Sequence, residues 1–217
     1  MMKKTMISAL LILLALGSTM ARAEDGSKFW IVPAAGIRTS SYFGIESEEV
    51  DYSRIRFDSG FAYGLSAGYR LSEFLAVEAL WSRLDTTVEG VATAGDPPPP
   101  NETLFDATED QFHANLIVSA GYSIGAVKPY FLVGLGVTAV NPAGDAPGVT
   151  RFSWSLGMGF DTMFSKRIGA RVQGKFVPTY INTTEQILFE WTGGYQATSV
   201  RNNITQWEVT AGLIYRF

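Results

Sequence analysis

Groups able to do chemistry are few and scattered in this chain. It has no cysteine and a single histidine, His113, which excludes thiolate nucleophiles, disulfide scaffolds and Cys-based zinc sites. His113 lies in the stretch Gln111-Phe112-His113-Ala114-Asn115, with no serine within two residues. A histidine serves as a general base only when a nucleophile lies within hydrogen-bond reach. Serines are plentiful but none is placed beside it by sequence, so a structural or solvated histidine is the favoured reading. The run Gly134-Leu135-Gly136-Val137-Thr138-Ala139 matches the G-x-G-x-x-A dinucleotide fingerprint. That site needs a helix N-terminus to hold pyrophosphate, and Asn141-Pro142-Ala143-Gly144 follows instead. Carboxylates gather in polar stretches as Glu46, Glu48, Glu49, Asp51, Glu89, Asp96, Glu102, Asp106, Glu109, Asp145, Glu185 and Glu190. They read as a solvated outer surface, because no D-x-D-x-D-G spacing of a calcium loop is present. Pro97 to Pro100 read as an extended spacer. No catalytic, metal-ligating or cofactor-binding residue is assigned, and no cofactor is expected.

The elements that would position these residues are strands. Near the C-terminus Trp207, Val209, Ala211, Leu213, Tyr215 and Phe217 alternate with Glu208, Thr210, Gly212, Ile214 and Arg216, the two-residue period of a strand with two different faces. Large apolar residues again oppose small or charged ones where Phe152, Trp154, Leu156, Met158 and Phe160 alternate with Ser153, Ser155, Gly157, Gly159 and Asp161. The 22 glycines and 13% aromatics favour strands and turns over long helices. About eight such segments, 29–39, 58–70, 74–85, 110–123, 128–140, 151–163, 168–180 and 204–217, are joined in turn by long polar connections and short turns. That rhythm is the pattern of a bacterial outer-membrane barrel. The expected fold is all-β, an antiparallel up-and-down transmembrane β-barrel of about eight strands. Lipid would cover the aromatic face, and small and charged side chains would fill the interior. A soluble lipocalin-like barrel would have these faces reversed. Pro33 and Pro178 each lack a ladder donor and are expected at bulges or strand ends.

Residues 1–23 read as a signal peptide: Lys3 and Lys4 precede an apolar run, and Ala21-Arg22-Ala23 supplies an A-x-A cleavage pattern. The barrel domain is then 24–217. The leader carries Lys3, Lys4 and Arg22 and no acid, so its removal takes the formal charge from −4 to −7, 14 cations against 21 acids. So acidic a surface excludes nucleic acid as a partner, since phosphate recognition needs clustered Lys and Arg.

The leader, the rhythm of long and short connections, and the terminal Tyr215-Arg216-Phe217 together resemble the small bacterial outer-membrane β-barrel proteins typified by the OmpA transmembrane domain and OmpX, with OmpW more distant. The resemblance implies that Tyr215 and Phe217 form a signal read by the barrel-assembly machinery, and that outer-membrane lipid and lipopolysaccharide surround the chain. It implies a structural, envelope-integrity or adhesion role through outer loops that can meet an external ligand. Two alternatives stay open. One is an OmpW-like channel for hydrophobic or other small solutes, for which Leu80, Ile117, Leu132, Val177 and Ile214 fall on the inner face. The other is a lipid A-modifying enzyme, because barrels of similar size include a deacylase with a His and Ser pair near the outer rim.

Within such a barrel, alternation turns Glu78, Arg171, Lys175, Glu208 and Arg216 inward. Charges in a narrow lumen must be solvated or paired. Counting across the connection 181–202 sets Lys175 near Glu208 as an ion pair, with Arg171 or Gln173 as the partner if the register slips by about two residues. Aromatics collect near strand ends, Trp81, Phe112, Phe152, Tyr180 and Trp207 on the long-loop side and Tyr69, Phe74, Tyr122, Phe160, Tyr215 and Phe217 on the short-turn side, as two interfacial girdles should.

Overall fold

The computed structural model describes residues 28–40, 43–44, 52–92, 102–144, 148–183 and 200–217. The ladder segments are β1 (Phe29–Ser40), β2 (Phe43–Gly44), β3 (Tyr52–Phe57), β4 (Gly60–Arg70), β5 (Leu75–Ala92), β6 (Glu102–Ser119), β7 (Val127–Pro142), β8 (Val149–Met163), β9 (Ile168–Thr183) and β10 (Val200–Arg216). β2 prolongs β1, and β3 runs into β4 after a break at Asp58-Ser59, so the segments make eight antiparallel strands. Each pairs with its chain neighbours, and β1 pairs with β10, which closes the ring. Closure leaves no sheet edge within the hydrocarbon layer, where an unpaired backbone group has no water to meet. No helix among the described residues is long and apolar enough to cross a membrane, which says nothing of crossing by strands.

Two of the three short turns share one construction. In 71–74 the Ser72 Oγ accepts the N–H of Phe74 and of Leu75, and in 164–167 the Ser165 Oγ accepts the N–H of Arg167 and of Ile168. A serine hydroxyl that mimics a backbone acceptor in this way fixes a tight turn. The third turn is a hairpin between Ile124 and Val127 with Gly125 at φ 62°, which a side chain would strain. These turns lie together at one end of the barrel, the long connections at the other, and in outer-membrane barrels such short turns are periplasmic.

Outward positions are apolar from the turns upward. Trp207, Val209 and Leu213 are each about 60% exposed on the outside, a cost that only lipid removes. Both aromatic girdles are present. The lower one includes Tyr69, Phe74, Phe160, Tyr215 and Phe217, and the upper one Phe112, Phe152, Tyr180 and Trp207. Ring contacts tie neighbouring strands, as with Phe176 and Trp207 at 4.9 Å and Phe152 and Tyr180 at 6.0 Å. The apolar band ends on β5 and β6 where Arg83 makes a two-pronged pair with Asp110, 2.9 and 2.7 Å, and the Trp81 indole N–H donates to the same carboxylate at 2.9 Å.

Two expectations need correction. Much of what reads as polar loop is strand: 52–57, 86–92, 102–109 and 141–142 continue the ladder above the apolar band. Out of the lipid the outward face has no need to be greasy, so Asp85, Thr87, Asp106 and Thr108 stand there and the contrast of faces that identifies strands fades. At the other end, β6 stops at Ser119, short of the expected 123. The prolines do not mark bulges. Pro33 pairs with Leu65, and β1 keeps one register on β10 from Ile31 opposite Tyr215 to Ala34 opposite Gly212. Pro178 pairs with Thr205 while β9 keeps one register on β8. The register shifts lie instead at 52–54 and 88–89, in the upper extensions. The expected leader, 1–23, falls outside the described residues.

Candidate functional site

Within the apolar band the charged side chains lie in the interior. Inward positions of β1 run Trp30, Val32, Ala34, Gly36, Arg38, and the last of these becomes the hub of the lumen. Arg38 is fully buried, its Nη1 2.8 Å from Glu109 Oε1, and its Nε and Nη2 2.8 and 2.6 Å from Glu208 Oε2. Its Nη2 also donates to Ser82 Oγ, and that hydroxyl donates to Glu208 Oε2 at 2.8 Å. Lys175 Nζ lies 2.8 Å from the other oxygen of Glu208, and the two residues stand directly opposite in the β9–β10 ladder. Gln111 and Gln206 complete the layer: each donates to Glu109, at 3.0 and 2.6 Å, and Gln111 donates to Gln206 Oε1 at 2.7 Å. The two cations Arg38 and Lys175 and the two carboxylates Glu109 and Glu208 thus balance, each about 2% exposed or less. Charges so enclosed are stable only with complete pairing.

A second layer lies nearer the short turns. Arg171 binds Asp161 through two parallel hydrogen bonds of 2.8 and 2.9 Å, and its Nη1 reaches Glu78 at 2.5 Å. Glu78 accepts further bonds from Ser66 and Asn115. The Arg171 guanidinium lies over the Tyr130 ring at 4.8 Å, and the Tyr130 hydroxyl donates to Gln173 at 2.8 Å. Beneath it an apolar layer of Trp30, Val32, Ala76, Ile117, Tyr130, Leu132 and Ile214 fills the barrel.

The expected inward charges therefore divide. Glu78 and Arg171 meet in the lower layer, Lys175 and Glu208 in the upper one, and Arg216 stands apart, half-exposed at the short-turn mouth. Arg38 was absent from the expected set although alternation along β1 turns it inward. Glu109 is the opposite case: it reads as an outer-loop carboxylate and is one of the most buried side chains. Of the other grouped carboxylates, Glu46, Glu48, Glu49, Asp51, Asp96, Asp145, Glu185 and Glu190 lie outside the described residues. Among the described residues no cluster of three His, Asp or Glu side chains suits a metal.

The structure supplies the serine that sequence could not place. His113 Nε2 is 3.1 Å from Ser153 Oγ, two strands away, and Ser153 and Thr179 both lie near Thr138, at 3.1 and 3.0 Å. Gly136 stands between His113 and Ser153 in the ladder, and a β-carbon there would collide with the Phe112 carbonyl and the His113 ring. Gly134 does the same for Asn115 and Ser155, which bond across it at 3.2 Å. The apparent dinucleotide fingerprint is thus a pair of inward glycines that let β6 side chains cross β7 to meet β8. His113 and Ser153 are 3% and 0% exposed, and a general base needs its substrate within reach.

A family model described as outer membrane protein beta-barrel domain matches residues 8–217. Among solved structures, Neisserial surface protein A superposes with a TM-score of 0.58 at 17% identity, covering 89% of this chain and 100% of that one. The outer membrane protein OprG from Pseudomonas aeruginosa superposes with a TM-score of 0.54 at 15% identity, covering 88% and 96%. The outer membrane protein AlkL, solved in lipid bilayers, gives 0.53 at 12% identity, covering 90% and 92%. At such identities the likeness is one of fold. No curated protein matches the chain.

Proposed function

The chain belongs to the outer membrane protein beta-barrel domain family, and from that premise we propose that it serves the outer membrane as a sealed barrel, working through its outer loops in envelope integrity, adhesion or recognition. The carrying observation is the Arg38, Glu109, Lys175 and Glu208 layer, whose side chains fill the lumen from wall to wall and are almost wholly inaccessible. A solute would have to break at least two buried ion pairs to pass. In the same reading, residues 1–23 direct export, Tyr215 and Phe217 are read by the barrel-assembly machinery, lipopolysaccharide packs against the upper girdle, and the long loops hold the external ligand.

The channel alternative rests on the inward apolar residues. Ile117, Leu132 and Ile214 do lie inside, as part of the apolar layer at the periplasmic end. The two charged layers separate that end from the outer mouth, so no continuous greasy path joins the two. Purified protein in planar bilayers, and in liposomes offered apolar solutes, tests the choice. The expected result is conductance and uptake no greater than in protein-free membranes; steady open-channel current would overturn the sealed-barrel reading.

A further inference from the structure

Below the apolar layer the barrel opens to the periplasm as a vestibule of about 600 Å³. Its rim and its floor differ in character. The rim carries Arg70, Lys128 and Arg216, and the inner end is apolar on one side, with Ala76, Ile117 and Ile214 at its base and Met163 beside them, while the mutually paired Arg171 and Asp161 line the other. Among the described residues none of the three rim cations has an ion-pair partner. The acids that also line the space do not cancel them, since Asp161 is already clamped by Arg171 and only Glu73, on the 71–74 turn, remains.

We propose that this vestibule binds an amphiphile with a single carboxylate head, of the fatty-acid class, its chain on the apolar floor and its carboxylate at Arg70 and Arg216. The volume falls in the range of small-molecule sites, a few hundred to about 1,000 Å³. Charge complementarity fixes the orientation. A carboxylate meets two guanidiniums that repel one another when empty, and an arginine fork accepts a carboxylate through two parallel bonds. The acyl chain, laid against the floor and the vestibule wall, is itself withdrawn from water. A cationic amphiphile would place like charge against Arg70, Lys128 and Arg216. The site opens away from the outer loops and is independent of what those loops bind.

The test uses the full mature chain in nanodiscs of zwitterionic phosphatidylcholine, followed by NMR of the Trp30 indole N–H and the Ile214 amide, both at the floor. Dodecanoate, kept below its micellar concentration, should shift these resonances saturably. Acetate and dodecyltrimethylammonium at equal concentrations should not. The Arg70→Gln/Arg216→Gln protein should bind dodecanoate at least tenfold more weakly while keeping heat-modifiable gel mobility. Non-saturating shifts, equal shifts from the two dodecyl amphiphiles, or undiminished binding by the double variant would overturn the proposal. The comparison of head groups on the unsubstituted protein decides it even if that variant fails to fold.

Discussion

Removing the carboxylate of Glu208 while its partners stay in place should reveal how the upper layer is balanced. Glu208 accepts from Arg38 at 2.8 and 2.6 Å and from Ser82 at 2.8 Å, and lies 2.8 Å from Lys175. In Glu208→Ala, Arg38 keeps Glu109, but among the described residues Lys175 loses its only carboxylate. The layer then has two cations and one anion among side chains that are almost wholly buried. Breaking a buried pair from one side costs about 3–5 kcal/mol. If Lys175→Met is added, the surviving pair is Arg38 with Glu109 at 2.8 Å, which is neutral, and the methionine fills the volume of the lysine stem. The double variant should therefore be more stable than Glu208→Ala alone, and its loss should fall short of the sum of the two single losses by about 1–3 kcal/mol. Urea unfolding of the reconstituted barrel in lipid vesicles measures all four corners of the cycle. Losses that add to within about 0.5 kcal/mol would show that the two side chains are not coupled and would refute the reasoning.

Replacing Gly136 by Val drives a side chain into the Phe112 carbonyl and the His113 ring and should cost about 1–3 kcal/mol of stability in the same assay. Gly174→Ala, where a β-carbon meets no atom within 4 Å, should change it by less than about 0.5 kcal/mol. Deleting Phe217 removes its N–H bond to the Phe29 carbonyl and the ring contact with Phe29 at 5.3 Å. It should lower the heat-modifiable, assembled fraction far more than Thr93→Ala does. Exported protein should begin at Glu24 by N-terminal sequencing and fractionate with outer membranes.

How much of this is visible in the sequence depends on what each face meets. Where one face meets lipid and the other the lumen, the contrast between Phe152 and Ser153 or between Trp207 and Glu208 is large, and strand, face and girdle follow from it. Above the bilayer, where water meets the outside, Thr87 and Val88 give no such contrast, and the upper extensions read as loop. Neighbours within a hairpin, such as Lys175 and Glu208, come within reach by counting residues from the connection. Partners across the lumen do not. Arg38 and Glu109 are 71 residues apart and meet only because the sheet closes. His113 and Ser153 meet across an intervening strand because Gly136 has no side chain. Closure and a missing β-carbon are properties of the three-dimensional ring that no single strand's periodicity reports.

The two surfaces also differ in how strongly they specify this one structure. Lipid accepts almost any arrangement of large apolar side chains, so the outside alone would tolerate a strand displaced along its neighbour by two residues. The inside would not. A slip of one residue on β10 would turn Gln206 and Glu208 to the hydrocarbon and Trp207 and Val209 into the lumen, and a charge on the lipid face near the midplane costs about 2–4 kcal/mol for a cation and somewhat less for a carboxylate. A slip of two would keep the faces but carry Glu208 one inward position, about 7 Å, away from Lys175, far beyond its 2.8 Å pair distance. Arg38 binds both Glu109 and Glu208, so any such displacement of β10 or β6 breaks an ion pair to the same guanidinium. The buried charges add little net stability over an apolar filling; their effect is to separate the native register from its neighbours by several kcal/mol.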